Sequence, residues 1–137
     1  MFKRFIFLLI STSSFQVLAV DTNKLESILN FHLITNTIGI AGQPTKAQFV
    51  DIKNANFSVV VNLAMPDSTN ALLDEGSVVS SLDMTYVHIP VPWGTPSASH
   101  VKKFFGVMDA LEGKGEKVFV HCAANYRASA FTYKYLT

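Results

Sequence analysis

The residues best equipped for chemistry lie close together near the end of the chain, in Lys117-Val118-Phe119-Val120-His121-Cys122-Ala123-Ala124-Asn125-Tyr126-Arg127-Ala128-Ser129. Cys122 is the only cysteine. A thiolate is a strong nucleophile, and Arg127 can clamp an oxyanion with a planar, two-pronged set of donors. Val118, Phe119 and Val120 form a short β-favouring apolar run after a Gly/Lys-rich turn, and Ala128 onward reads as a helix. A loop that feeds a helix N-terminus presents free N–H groups and the positive end of the helix dipole. The amides of Ala123, Ala124, Asn125, Tyr126, Arg127 and Ala128 therefore make a candidate anion cradle, with Cys122 at its edge. The competing reading is that a lone cysteine after an apolar strand is simply a small core residue.

The rest of the chain supplies a scaffold for such a loop. Asp21 to Asn30 is expected as a short helix, capped by Asp21 or Thr22. Phe31 to Ile40 is β-rich with a turn near Asn36, and His32 within it reads as structural. Thr45 can cap a helix from Lys46 to Ala55, with Phe49 and Ile52 inward. Phe57 to Leu63 is an almost continuous valine-rich run, which suits a parallel strand buried on both faces. A helix from Asn70 to Leu82, a strand from Met84 to Val91 and a loop from Pro92 to Pro96 follow. His88 in that strand reads as a core-edge residue. Ser97 opens an amphipathic helix to about Glu112, with Val101, Phe104, Phe105, Met108 and Leu111 inward. The alternation of strands and helices predicts an α/β fold, a central mostly parallel sheet flanked by helices. Ligands of such sheets bind beyond the carboxyl ends of the strands, where Cys122 and the Pro92–Pro96 loop both fall.

The Cys122 stretch resembles the phosphate-binding loop of the cysteine-dependent protein tyrosine and dual-specificity phosphatases, whose pattern is His-Cys, five variable residues, Arg, then Ser or Thr. His121, Cys122 and Ser129 match in register. Arg127 comes one residue early, Ala128 stands in the arginine position, and Asn125 stands where glycine is usual. Asparagine is the non-glycine residue that best tolerates a left-handed backbone. Either the loop rearranges so that Arg127 still reaches the anion, or anion binding is weakened. Ile40-Ala41-Gly42-Gln43-Pro44-Thr45 resembles the Ser/Ala-Gly-Gln-Pro opening of a bacterial branch of the same superfamily. That branch includes the phosphatase-like domain attached to some β-lactamase-like hydrolases. In the residues themselves, Gly42 is expected to take an unusual backbone angle and Pro44 to end the strand. The resemblance spans roughly Ile38 to Thr137. It implies a dual-specificity phosphatase-like fold in which further helix usually follows the position of Ser129; here either the core is minimal or the open reading frame is cut short, and a truncated last helix would leave apolar surface uncovered.

The resemblance assigns roles. Cys122 attacks phosphorus and forms a thiophosphate, and His121 hydrogen-bonds around the loop in support of the thiolate. Arg127 stabilises the equatorial oxygens, and Ser129 donates to the departing thiolate. The family's general-acid aspartate belongs in the loop after the Met84–Val91 strand. Here that loop holds no Asp or Glu, and His100 is the nearest titratable group downstream. Asp67 lies on another loop and aligns poorly with the role. A positioned acid typically contributes about 10²–10⁴-fold, so slow turnover or a preference for good leaving groups is expected. Two other functions fit the same loop: an anion-binding module without turnover, and a sulfurtransferase-like enzyme carrying a persulfide on Cys122.

Composition narrows the partners. The 137 residues suit one domain, expected over residues 20–137. The net charge is +1 and no Lys/Arg run forms a basic patch, which leaves no case for nucleic acid. The expected partner is a phosphorylated small molecule or phosphoprotein, and oligomeric state is not legible. No cofactor is called for, and His32, His88, His100 and His121 form no ligand pair at helical spacing. Residues 1–19 read as a cleaved bacterial export signal: Lys3 and Arg4, then an apolar run from Phe5 to Ile10 too short to span a bilayer. A periplasmic or secreted location follows, with no membrane span after cleavage. Removal of Lys3 and Arg4 would leave nine basic groups against ten acidic, a net of −1. In an oxidising compartment an unpaired cysteine stands out.

Overall fold

A computed structural model describes residues 23–137. The export signal expected over residues 1–19 and the caps expected at Asp21 and Thr22 lie outside them. Five strands form one sheet: β1 (His32–Leu33), β2 (Ile38–Ala41), β3 (Val59–Asn62), β4 (Thr85–His88) and β5 (Val118–His121). Their order is β1-β2-β5-β3-β4, with β1 antiparallel to β2 and the other pairings parallel. Four helices complete the described residues: α1 (Lys46–Asn54), α2 (Glu75–Ser81), α3 (Ala98–Leu111) and α4 (Tyr126–Leu136). This is the expected α/β architecture of the dual-specificity phosphatase type. No helix among the described residues is long and apolar enough to cross a membrane.

Two cores explain why the sheet stands as it does. Val59, Val61, Val118 and Val120 pack with Phe104, Met108 and Phe131 on the α3/α4 face. Val60 and Phe119 pack with Phe49, Ile52 and Phe57 on the other, with Leu25 and Ile28 beside them. β3 and β5 are therefore buried on both faces, which is why their sequences show no polar alternation. Burying a side chain such as Phe119 contributes about 1.5–3 kcal/mol.

The helix starts follow local chemistry. Thr45 and Gln48 form a reciprocal capping box at α1. At α3, the Ser97 N–H donates to His100 Nδ1 at 3.1 Å, and the Ser97 hydroxyl lies 2.8 Å from the same nitrogen.

Several boundaries differ from the sequence reading. The helix expected over Asp21 to Asn30 is a single 3-10 turn, Leu25–Ser27, because Ile28 turns extended and Asn30 is left-handed. The helix expected from Asn70 begins only at Glu75, and the preceding segment turns at Ser68 and Ala71 instead. The last helix begins at Tyr126, two residues before its expected start, because Asn125 takes the left-handed backbone that ends the loop. His88 is exposed at the end of β4, with Nε2 2.8 Å from the Ala64 carbonyl oxygen. Gly42 does not need left-handed backbone. A Cβ there would come within 2.8 Å of Leu29 and 3.1 Å of the Ala123 carbonyl, so it is close approach that requires glycine.

Candidate active site

The register aligns Ala41, His121, Asn62 and His88 in one row across β2, β5, β3 and β4. Side chains alternate along a strand, so this row faces α1 and α2, and Cys122, one residue on, faces α3 and α4. Cys122 is 1% exposed and packs with the first core. It also forms the floor of a pocket of about 260 Å³ lined by Trp93, Ala123, Ala124, Tyr126 and Arg127. The cysteine is thus a packed core residue that also borders a pocket. Two larger hollows, about 440 and 490 Å³, flank α3 and do not reach it.

The early start of α4 decides what Arg127 does. A helix advances its side chains by about a hundred degrees per residue, given 3.6 residues per turn. Ala128 consequently turns inward and is fully buried in the core, while Arg127 turns to the pocket. The Arg127 Nη1 donates to the Val91 carbonyl at 2.6 Å, and the guanidinium carbon lies 5.8 Å from the Trp93 ring centre. Its Nε–H is buried with no partner. An oxyanion in the pocket would supply the missing acceptor. The N–H groups of the first turn of α4 have no helical acceptor, since the Ser129 N–H to the Asn125 carbonyl, at 2.9 Å, is the first such bond.

The other expected site residues are placed differently. Asn125 and Ala128 do not line the pocket. The Asn125 side chain donates to the Asn30 carbonyl at 2.7 Å and accepts from the Ser129 hydroxyl at 3.2 Å, so Ser129 is engaged with Asn125. His121 is fully buried behind the loop. Its Nε2 lies 2.7 Å from Glu75 Oε1, and its Nδ1 is 3.5 Å from the Cys122 carbonyl oxygen. The His100 Nδ1 is used in capping α3. Trp93 and Tyr126 flank the pocket, each 68% exposed, with ring centres 5.8 Å apart.

Sequence reasoning missed Glu75. It is 2% exposed, and its carboxylate also accepts from Gln43 Nε2 at 2.6 Å. Burial raises its pKa, but the hydrogen bond and charge of His121, with the Gln43 and Tyr86 bonds, outweigh that and hold the carboxyl below the usual glutamate range. Burial and the Glu75 carboxylate push the Tyr86 hydroxyl up to about 12 against the lowering bond from Asn62, so it stays a proton donor. Gln43 also donates its backbone N–H to the Ala123 carbonyl at 3.2 Å, tying the Ala41-Gly42-Gln43-Pro44 stretch to the loop. A glutamate opening a short helix looks like a solvated partner of the helix dipole, so no local pattern marks it as buried.

The family model described as "DSP-PTPase phosphatase fused to NAD+ Kinase" matches residues 26–136. The chain belongs to this DSP-PTPase family, within the cysteine-dependent phosphatase superfamily. A crystal structure of a DUF442 phosphatase from Shewanella putrefaciens CN-32 is 40% identical to it, covering 83% of this chain and 74% of that one, with a TM-score of 0.79. Tk-PTP in its active form is 20% identical over 77% of this chain and 71% of that one, with a TM-score of 0.66. Kinase associated phosphatase is 10% identical over 81% and 74%, with a TM-score of 0.65. The last two likenesses concern the fold alone. No curated protein is similar enough in sequence to count as a match. Within this DSP-PTPase chain, α4 begins at Tyr126, so Arg127 lies in its first turn.

Proposed function

We propose that this chain is a cysteine-dependent phosphatase that hydrolyses phosphate monoesters with good leaving groups, aryl phosphates above all. The observation that carries the proposal is that Cys122 and Arg127 line one pocket, with the Arg127 Nε–H buried and unpartnered. Cys122 Sγ attacks phosphorus, the ester P–O bond breaks, and the leaving oxygen departs with the bonding pair. Water then attacks the thiophosphate, releasing phosphate and restoring the thiolate. Kinase associated phosphatase, of the same fold, has a catalytic-site cysteine, which supports the same role for Cys122.

The loop between Val91 and Ser99 carries no carboxylate. With no acid there to protonate the leaving oxygen, esters of phenols are favoured over those of aliphatic alcohols. The exposed Trp93 and Tyr126 rings offer an aromatic rim to such a group. Trp93→Ala is expected to lower kcat/KM for an aryl phosphate by about five- to tenfold and for an alkyl phosphate by less. Steady-state kinetics on the two esters side by side check this. The reading of residues 1–19 as an export signal makes this a periplasmic or secreted enzyme.

The test is a burst-phase assay with p-nitrophenyl phosphate under reducing conditions, with Cys122→Ser alongside. Release lost in the variant supports the phosphatase. Protection of Cys122 from alkylation by phosphate, without release, would replace it with an anion-binding module. Absence of both release and protection would remove both readings.

The short loop favours a second reading, sulfur transfer. Cys122 thiolate would attack the outer sulfur of thiosulfate, the S–S bond would break, and sulfite would leave with the electron pair. Sulfite needs no proton from the protein, so the missing acid carries no penalty. Incubation with thiosulfate would then add the mass of one sulfur atom to Cys122, and an unchanged mass would discard this reading.

A further inference from the structure

A cradle of backbone N–H groups binds an anion only if the carbonyls of the same segment point elsewhere. In this loop the carbonyls are captured one by one. The Ala123 oxygen accepts from Asn70 Nδ2 at 2.9 Å and from the Gln43 N–H at 3.2 Å. The Ala124 oxygen accepts from Asn30 Nδ2 at 3.2 Å. The Asn125 oxygen accepts from the Ser129 N–H as the first bond of α4.

Asn30 and Asn70 come from segments far from the loop in sequence, and both are exposed. Neither fills the core and neither lines the Cys122 pocket. Asn30 stands in left-handed backbone, φ 50°, facing Asn125 at φ 77°, and its own carbonyl accepts from Asn125 Nδ2 at 2.7 Å. Asn30 and the loop are thus tied in both directions, the Asn30 side chain to the Ala124 carbonyl and the Asn125 side chain to the Asn30 carbonyl. Asn70 sits in the segment between β3 and α2 that was expected to be helical. An extended helix there would fix Asn70 on a helix surface; the observed turn carries its amide to Ala123.

The geometry points to Asn30 and Asn70 as positioning residues of the anion site: they hold the Ala123 and Ala124 carbonyls outward so that the loop amides face the pocket. This rests on the reading of the pocket as an anion site. Neither residue touches the ligand. Losing Asn30 frees the Ala124 carbonyl, and losing Asn70 leaves the Ala123 carbonyl held by the Gln43 N–H alone; in either case the carbonyl oxygen, the negative end of the peptide dipole, turns more readily toward the anion.

The experiment measures how strongly orthovanadate protects Cys122 from iodoacetamide in the full chain, comparing wild type with Asn70→Leu, Asn30→Gly and the double variant. Asn70→Leu keeps the approximate volume, removes the donor and adds no charge. Asn30→Gly removes the amide and keeps the left-handed backbone. Each single variant is expected to weaken vanadate protection by about tenfold, and the double variant by more. The melting temperature should stay near wild type, which a merely structural role would not predict. Vanadate protection within about twofold of wild type in both single variants would overturn the inference. Wild type with no protection at all would instead overturn the anion site itself, and this inference with it.

Discussion

Arg127→Ala is expected to lower kcat/KM for p-nitrophenyl phosphate by about 10²–10³-fold, the usual cost of removing one preorganised oxyanion donor. Among the described residues, Arg127 is the only cation lining the Cys122 pocket. Its unpartnered Nε–H is available to the equatorial oxygens, where charge must be held in the transition state. The Nη1 bond to the Val91 carbonyl fixes the guanidinium in place, so little reorganisation is needed on binding. Arg127→Lys should recover little of the loss, because an ammonium lacks the planar fork that meets Val91 and the anion together. Superfamily spacing alone would suggest repair by moving the arginine one place on, as Arg127→Ala with Ala128→Arg. The fold predicts the reverse. Ala128 is fully buried against Phe104 and its neighbours, so an arginine there overfills the core and buries an unpaired charge. Steady-state kinetics and a thermal melt on the three variants check both parts: equal activity in Arg127→Ala and wild type would remove Arg127 from the mechanism.

Glu75→Ala should be the most destabilising single change near the site, by about 3–5 kcal/mol, since it leaves His121 buried without its partner. For a domain of this size that is a fall in melting temperature of roughly 10–20 °C. Glu75→Gln keeps the volume and one acceptor, and should cost about 1–3 kcal/mol. The pH dependence has a definite sign. A carboxyl held lower in the folded chain than in the unfolded one contributes stability above its unfolded value and loses it as pH falls through the folded value. Glu75 is held lower, despite its burial, by His121, Gln43 and Tyr86. Wild type should therefore lose stability as pH drops below about 4.3, and Glu75→Gln should flatten that part of the curve. Melts of the two proteins across the acid range decide it; parallel curves would mean that Glu75 is not the group responsible.

The elements that were legible in the sequence are the ones written in contiguous residues. The Val118–Val120 run, the Phe57–Leu63 run and the Ser97 helix each carry their own periodicity, and together they led to the right sheet and helix layers. The place of Cys122 between a buried strand and a helix was legible for the same reason. What escaped was decided by single dihedral angles or by distant partners. The left-handed Asn125 starts α4 at Tyr126 instead of Ala128, and this small shift exchanges the faces of Arg127 and Ala128. Ser129 looked free to serve the thiolate because its bond to Asn125, four residues earlier, depends on where α4 begins. Gln43, Glu75 and His121 meet only once β2, α2 and β5 are assembled, so no window of sequence contains them.

The strand order has a consequence for how the molecule comes to exist. β2 and β3 are not neighbours; β5 lies between them and hydrogen-bonds to both. Until β5 inserts, the earlier part of the chain has two half-sheets with an open seam, and such long-range pairings are reached slowly. The inserting strand brings His121 to Glu75 and Cys122 to Ala41 in the same movement. Assembly of the chain and enclosure of its thiol are therefore one event: a nascent or partly folded chain has no finished pocket beside Cys122.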